Sequence, residues 1–400
     1  MSSVRTLRSQ VAALAFYSRP VRGLVIEDGA LITIDERALI ILRRPYNNEG
    51  PYIQVFTYTQ FSSSATCIER CATNQELYVG TAGGTLHVFS TEHGLDNPVH
   101  VRQLVICSSP LLSLQWLGIA RVMFIATGSS NIAIYVPLLK KIFLRRVTKG
   151  PIFCAFVDEM SETLYVSDKK DYVRVYKLLL ENDELNQRHA VIRGSSDYAA
   201  GRITYRDMWT ALESRGSTRQ SSREAAAVAP AAEARIDPPV KEEYDALYEP
   251  RPLTILGTDS KGKLSQSAHT RAIRTFLVDS TDGLLFTAGL DRIVAVWGTE
   301  DMLTSGTSYI IDSININHTR PTALAFSSNR LILFTADEVG MISAVDVNSM
   351  LVVNAWVAHH GPINGLYLDD TRGLLYSYGK DCLLKIWRVW IAEDECRGSA

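Results

Sequence analysis

Apolar runs of strand length, broken every few residues by Gly, Asn, Asp or Ser, follow one another along most of this chain. Between residues 64 and 107 they fall at 64–72, 76–81, 85–90 and 99–107, with Asn74, Gly83 and Gly84 in the breaks. Runs of this kind predict strands, and turn residues that tolerate positive φ predict tight antiparallel hairpins between them. Four strands make one unit, and the unit returns. A bulky or apolar residue near the end of its third strand recurs as Leu42, Phe89, Tyr135, Tyr176, Trp297, Val345 and Trp387. The spacings lie between 41 and 48 residues, save one of 121. Self-similarity at such a period predicts a repeat architecture of seven units, one gap holding an insertion of about 80 residues.

Two of the units share more than apolarity. Residues 286–298 and 376–388 each place a hydroxyl, then an Asp four residues on, then a Trp six residues later. A His precedes each set: His269 lies 28 residues before Trp297, and His360 lies 27 before Trp387. A buried indole N–H and a buried carboxylate must each find partners, so the four residues predict an internal hydrogen-bonded chain. The set resembles the WD40-repeat family, whose blades carry His, Ser/Thr, Asp and Trp bonded to one another. By that resemblance blade five uses His269, Thr287, Asp291 and Trp297, and blade seven uses His360, Ser377, Asp381 and Trp387. It also implies an all-β fold: a single seven-bladed propeller with these tetrads in structural rather than catalytic roles. Repeat two has Gly83 in place of the Asp, while repeat six has His318 and Thr335 but Val339 and Val345. Those blades are expected to rely on apolar packing.

Outer strands are expected at 52–59, 99–107, 141–147, 308–313 and 351–357, in blades one, two, three, five and six. Blade seven has no chain left for one after Trp390, so residues 10–17 are expected to supply it and close the ring. The domain layout is therefore residues 1–179 for the closing strand and blades one to four, and 180–268 for the insertion. Residues 269–391 form blades five to seven and 392–400 a tail.

The insertion, between blades four and five, differs in kind. Residues 214–239 are rich in Ser, Arg, Ala and Pro, a composition too poor in apolar surface to offset chain entropy, which predicts disorder. Just before them Tyr205, Met208, Trp209 and Leu212 share one face of a predicted short helix. That helix either covers the propeller or docks a partner through Tyr205, Trp209 and Leu212.

Composition narrows the rest. With 46% hydrophobic residues the chain can bury a large core, and a net charge of −2 sets up no global field toward nucleic acid or an anionic membrane. No apolar run reaches the length of a membrane span. Six scattered cysteines suggest free thiols in a reducing compartment. Residues 1–26 hold four Arg and no acid, as a mitochondrial presequence does, but cutting there would remove the closing strand; the expectation is cytoplasmic, with mitochondrial as the alternative.

Candidate chemistry is sparse. Gly257 to Lys263 satisfies G-x-x-x-x-G-K but continues with Leu264 where Ser or Thr should hold magnesium. Cys67 and Cys71 on one strand would stand about 13 Å apart, too far to share a zinc. No catalytic, cofactor or metal site is expected, and no small-molecule substrate. The expected function is a non-catalytic interaction scaffold or adaptor subunit of a multiprotein complex, binding other proteins through its faces and the inserted arm. The alternative is an RNA-associated subunit, with Arg43, Arg44, Lys140, Lys141, Arg145 and Arg146 as a phosphate-binding rim.

Overall fold

A computed structural model describes residues 9–44, 50–137, 140–161, 163–170, 173–177, 251–255, 269–299, 309–316 and 319–390. Every regular element among them is a strand. The first, β1 (Ser9–Leu14), is set aside below. Blade one is β2 (Val21–Glu27), β3 (Ala30–Asp35), β4 (Leu39–Arg43) and β5 (Ile53–Tyr58). Blade two is β6 (Ala65–Cys71), β7 (Glu76–Thr81), β8 (Thr85–Ser90) and β9 (Val99–Val105). Blade three is β10 (Leu111–Leu117), β11 (Val122–Thr127), β12 (Asn131–Val136) and β13 (Lys141–Arg146). Blade four is β14 (Cys154–Asp158), β15 (Thr163–Ser167), β16 (Val173–Lys177) and β17 (Arg251–Ile255). Blade five is β18 (Ile273–Asp279), β19 (Leu284–Gly289), β20 (Ile293–Gly298) and β21 (Tyr309–Asn315). Blade six is β22 (Pro321–Ser327), β23 (Ile332–Asp337), β24 (Met341–Asp346) and β25 (Leu351–Val357). Blade seven is β26 (Ile363–Asp369), β27 (Leu374–Gly379) and β28 (Leu384–Arg388), and its fourth strand is β1.

The first strands of successive blades pack side by side, β2 on β6 and onward to β26, which returns to β2. This makes the molecule a seven-bladed propeller. Blade four takes its outer strand from within the 180–268 stretch, a strand not among the outer strands expected above.

Burial follows from position in the blade. Middle strands β3, β11 and β23 are buried along their whole length, whereas the outer strand β9 alternates exposed with half-buried residues. Seven apolar clusters fill the ring, and each joins two neighbouring blades. Blades one and two share Ile32, Ile34, Leu77, Val79 and Phe89, for example. Among the described residues no blade has a private core, so each is stable only between neighbours.

Closure is as the chain's periodicity predicts. β1 runs antiparallel to β28, from Ser9 opposite Arg388 to Leu14 opposite Leu384. Leu14 and Tyr17 then enter the cluster joining blades seven and one, with Tyr376, Ile386, Leu31 and Leu42. The Tyr17 hydroxyl donates to Thr33 Oγ1 at 3.1 Å, tying the N-terminal segment to blade one. The register repeats too. On the pair formed by third and outer strands, a bulge falls at Leu42, Phe89, Tyr176, Trp297 and Val345, and between Ile386 and Trp387 on β1. These periodic positions thus occupy one structural site, at which the outer strand bends in every blade but the third, where the register at Tyr135 is continuous.

Candidate functional site

The two tetrads each link four side chains from neighbouring strands and loops. In blade five, Trp297 on β20 donates Nε1–H to Thr287 Oγ1 on β19 at 2.9 Å. Thr287 lies 2.8 Å from His269 Nε2, and His269 Nδ1 lies 3.2 Å from Asp291 Oδ1. Since the carboxylate can only accept, Nδ1 carries the proton and Nε2 accepts from the Thr hydroxyl. Asp291 also accepts from the backbone N–H of Thr270 at 2.7 Å and of Ile293 at 3.2 Å. Burial pushes the Asp291 carboxyl up, but the bond from His269 and the backbone donors outweigh it and hold the group below its ordinary value.

Blade seven repeats the chain with one correction. The ring that joins Asp381 to Ser377 is His359, not His360. His359 Nδ1 lies 2.8 Å and 2.9 Å from the two Asp381 oxygens, and Nε2 lies 2.8 Å from Ser377 Oγ. Trp387 donates to the same hydroxyl at 2.9 Å. His360 is exposed and gives Asp381 only its backbone N–H, the part Thr270 plays in blade five. The His-to-hydroxyl separation is 18 residues in both blades, a spacing that selects the first of the two adjacent histidines. Burial pushes the His359 ring below its ordinary value, although the Asp381 carboxylate opposes this, so the ring is neutral at pH 7.

A second correction concerns the other five blades. The position two residues after the tetrad hydroxyl is Gly289 in blade five and Gly379 in blade seven. In the remaining blades it is Asp35, Thr81, Thr127, Asp168 and Asp337, all buried. Asp35 accepts from the N–H of Arg37 and Ala38, and Asp337 from Val339 and Met341. Asp168 accepts from Lys170, while Thr81 accepts from Thr85 N–H and donates to Thr85 O. Thr127 donates to Asn131 O. These blades therefore cap the same turn from the strand itself and do not depend on apolar packing alone. The two solutions exclude each other at Gly289, where a Cβ would stand 2.4 Å from Asp291 Oδ1 and 2.5 Å from His269 Nδ1. The signal was present in the sequence as a polar residue closing the second strand of each degenerate repeat. His318 of repeat six lies outside the described residues.

Neighbouring blades are also tied by polar contacts. Arg70 of blade two pairs with Glu27 of blade one at 2.7 Å. Glu69 accepts from Trp116 N–H of blade three at 3.1 Å, and burial pushes its carboxyl up to about 7. Gln115 spans to the backbone of Val157 with both amide atoms, at 2.6 and 2.9 Å. Asp370 accepts from Ser327 and Asn329 of blade six. The adjacent Asp369 accepts from Thr371 and the N–H of Arg372, so this carboxylate pair holds a turn and a blade contact.

The other candidates separate. Gly80 to Thr85 joins antiparallel strands β7 and β8, with no helix after it to receive a phosphate. Lys141 pairs with Val136 at the end of β12, and Arg145 and Arg146 with Ile132 and Asn131 at its start. Those basic pairs therefore sit at opposite ends of blade three. Arg43 is bound to Asp96 at 2.6 Å and Arg44 lies 4.7 Å from the Tyr52 ring centroid. Among the described residues no cluster of His, Cys, Asp or Glu could hold a metal ion, and no helix is long and apolar enough to cross a membrane. Cys67, Cys71, Cys107, Cys154 and Cys382 are free thiols. Tyr205, Trp209, Leu212 and the Gly257–Lys263 match lie outside the described residues.

Exposed aliphatic side chains recur along two outer strands. β25 exposes Leu351, Val353 and Val357, and β9 exposes Val99, Val101 and Val105. Each strand ends its sheet and keeps one backbone edge unpaired within it.

Among curated proteins, DmX-like protein 1 of Mus musculus is 20% identical over 138 residues, 34% of this chain and 4% of that protein's length. No family model matches. With two complete tetrads seated on equivalent strands of a seven-sheet ring, the chain is a seven-bladed β-propeller of the WD40 type.

Proposed function

We propose that this propeller is a non-catalytic interaction scaffold, an adaptor or subunit of a multiprotein assembly. The observation that carries the reading is the contrast between its polar and apolar side chains. The tetrads and turn-capping acids are spent on internal bonds, while the outer strands of blades two and six offer aliphatic side chains to solvent. An edge strand with exposed aliphatics suits addition of a partner's extended segment, backbone bonds giving affinity and side-chain contacts giving selectivity. The segment containing Tyr205, Trp209 and Leu212 would act as a second contact, raising the local concentration of a partner held at the rim.

Replacing Leu351 and Val353 together by Lys tests this. The doubly substituted chain should melt as the parent does yet lose proteins that co-purify with the parent. An unchanged set of co-purifying proteins, both in this variant and in a chain lacking residues 180–245, would overturn the proposal. If the bound material is RNA and its retention falls steeply with salt, the RNA-associated reading replaces it. The same proposal puts the protein in the cytoplasm, because a presequence cut near Tyr17 would remove β1 from blade seven. Import of a fluorescent fusion into mitochondria would contradict that part.

A further inference from the structure

A net charge of −2 conceals a segregation of charge along blades four and five. In an antiparallel blade, the loop before the first strand and the turn between the second and third strands lie at the same end. At that end these two blades carry Lys149, Lys169, Lys170, Arg271, Arg274 and Arg292, all exposed. Among the described residues none of these side chains is held in an ion pair. The acids beside them, Asp168 and Asp291, are turned onto internal donors. Asp171 lies outside the described residues. The turns at the opposite end of the same blades hold Asp158, Glu159, Asp279 and Asp282 instead.

Backbone bonds gather the cations into one surface. Phe153 N–H donates to Ser167 O at 2.9 Å, which seats the loop after Lys149 against the turn of Lys169 and Lys170. Ile273 N–H donates to Lys170 O at 3.1 Å, crossing from blade five to blade four. Leu290 N–H donates to Ala272 O at 2.9 Å and carries the contact on to the turn of Arg292. Arg274 falls in the bulge between Ile273 and Thr275, a place where the backbone re-aims a side chain. Cations held together in this way raise the local potential and attract an anionic partner.

The remaining side chains select which anion. Phe153, 37% exposed, is the one aromatic ring among the large exposed apolar side chains at this end of the two blades. Single-stranded nucleic acid needs a row of aromatic faces for successive bases, and a duplex needs a helix or ribbon that enters a groove; short loops with one ring offer neither. A bilayer surface needs more inserted apolar area than one partly covered ring supplies. Carboxylates, in contrast, match the arginine forks with two oxygens to two N–H groups.

We propose that this end of blades four and five binds an acidic peptide segment of a partner protein, its Asp and Glu side chains on Arg271, Arg274 and Arg292 and an aliphatic side chain against Phe153. The surface is separate from the outer strands of blades two and six and stands independently of them.

Fluorescence anisotropy on the full chain tests this with labelled Gly-Glu-Glu-Leu-Glu-Glu-Gly and the same peptide with Gln for every Glu. At low salt the Glu peptide should bind about tenfold or more tightly than the Gln peptide, and should weaken as salt is raised. Lys170→Glu with Arg271→Glu should lower that affinity about tenfold or more while melting stays as in the parent. Lys140→Glu with Arg372→Glu reverses as much charge at the opposite end of blades three and seven, and should leave the affinity within about twofold. Phe153→Ser should weaken the Glu peptide and shrink the further loss seen when its Leu is replaced by Gly. Equal binding of the Glu and Gln peptides to the parent chain, or equal losses from the two double reversals, would overturn the proposal. Decauridylate RNA and phosphatidylserine vesicles decide the class of partner. Weaker binding of both than of the Glu peptide supports the proposal. Tighter binding of either, lost in the Lys170→Glu, Arg271→Glu chain, overturns it and assigns the surface to RNA or to a membrane.

Discussion

Gly289 is a glycine because a histidine ring and a carboxylate need the space a Cβ would take, and at Gly379 a Cβ would stand 2.8 Å from Pro362 O. The same site carries Asp or Thr wherever the histidine chain is absent, so one turn has two mutually exclusive caps. This exclusion makes the tetrads testable residue by residue. His359→Ala should cost about 1–3 kcal/mol in chemical denaturation, because it strips Asp381 and Ser377 of their partner in a buried site. His360→Ala should leave stability within about 0.5 kcal/mol, since only the backbone of that residue bonds to Asp381. The reverse order would contradict the correction. Glu69 offers a pH test. Its folded carboxyl titrates at about 7 against 4.5 for the ordinary group, so the folded state binds more protons across that window. Stability contributed by the protonated form is therefore lost as pH rises through it. Glu69→Gln keeps an acceptor for Trp116 N–H and should be the more stable chain above pH 7, by on the order of 1–3 kcal/mol. The advantage should shrink toward zero below pH 4.5; a difference independent of pH would show that burial does not govern this group.

At the scale of the hairpin, the turn between second and third strands takes a positive φ just after the tetrad Asp position in blades two, five, six and seven. Gly84 and Gly340 meet it at +78° and +91°, and Arg292 and Cys382 at +72° and +61°. The two glycines are the more constrained. A Cβ on Gly340 would lie 2.1 Å from His359 O, and one on Gly84 would lie 2.0 Å from Cys107 O. Each glycine carbonyl in turn accepts from the chain leaving the outer strand, Gly340 from Ala358 and His359, Gly84 from Ile106 and Cys107. Gly340→Ala should therefore cost more than about 1 kcal/mol and disturb the His359 loop with it, read by melting and by loss of His359 ring protection. A neutral substitution would mean the turn relaxes freely. The strands themselves were legible in the sequence because their apolar periodicity and Gly-containing turns act locally. The caps at Asp35, Asp168 and Asp337 were not, because a single Asp at a strand end reads the same whether it faces solvent or folds back on its own turn. His359 was legible: the 18-residue separation between His269 and Thr287 in blade five, applied to Ser377, picks it over its neighbour His360.

For the whole molecule the governing fact is that every apolar core is shared by two blades. Stability is then a property of the closed ring, and the seventh interface is completed by residues far apart in sequence. Leu14, Tyr17, Leu31, Tyr376 and Ile386 meet in one cluster, and Asn364 reaches Val21 O at 2.7 Å across the same seam. A closed ring of this kind can present its outer strands without rearrangement, as a scaffold needs. The ring is closed by the pairing of β1 with β28, where a strand of six residues holds the two ends of the chain together. Backbone hydrogen exchange, compared between the full chain and a chain lacking residues 1–17, addresses this most directly. The account predicts strong protection of the Leu384–Arg388 amides in the full chain, and in the shortened chain early loss of that protection followed by the β3 amides across the seam. Equal protection of Leu384–Arg388 with and without the N-terminal residues would contradict closure of the ring by its first strand.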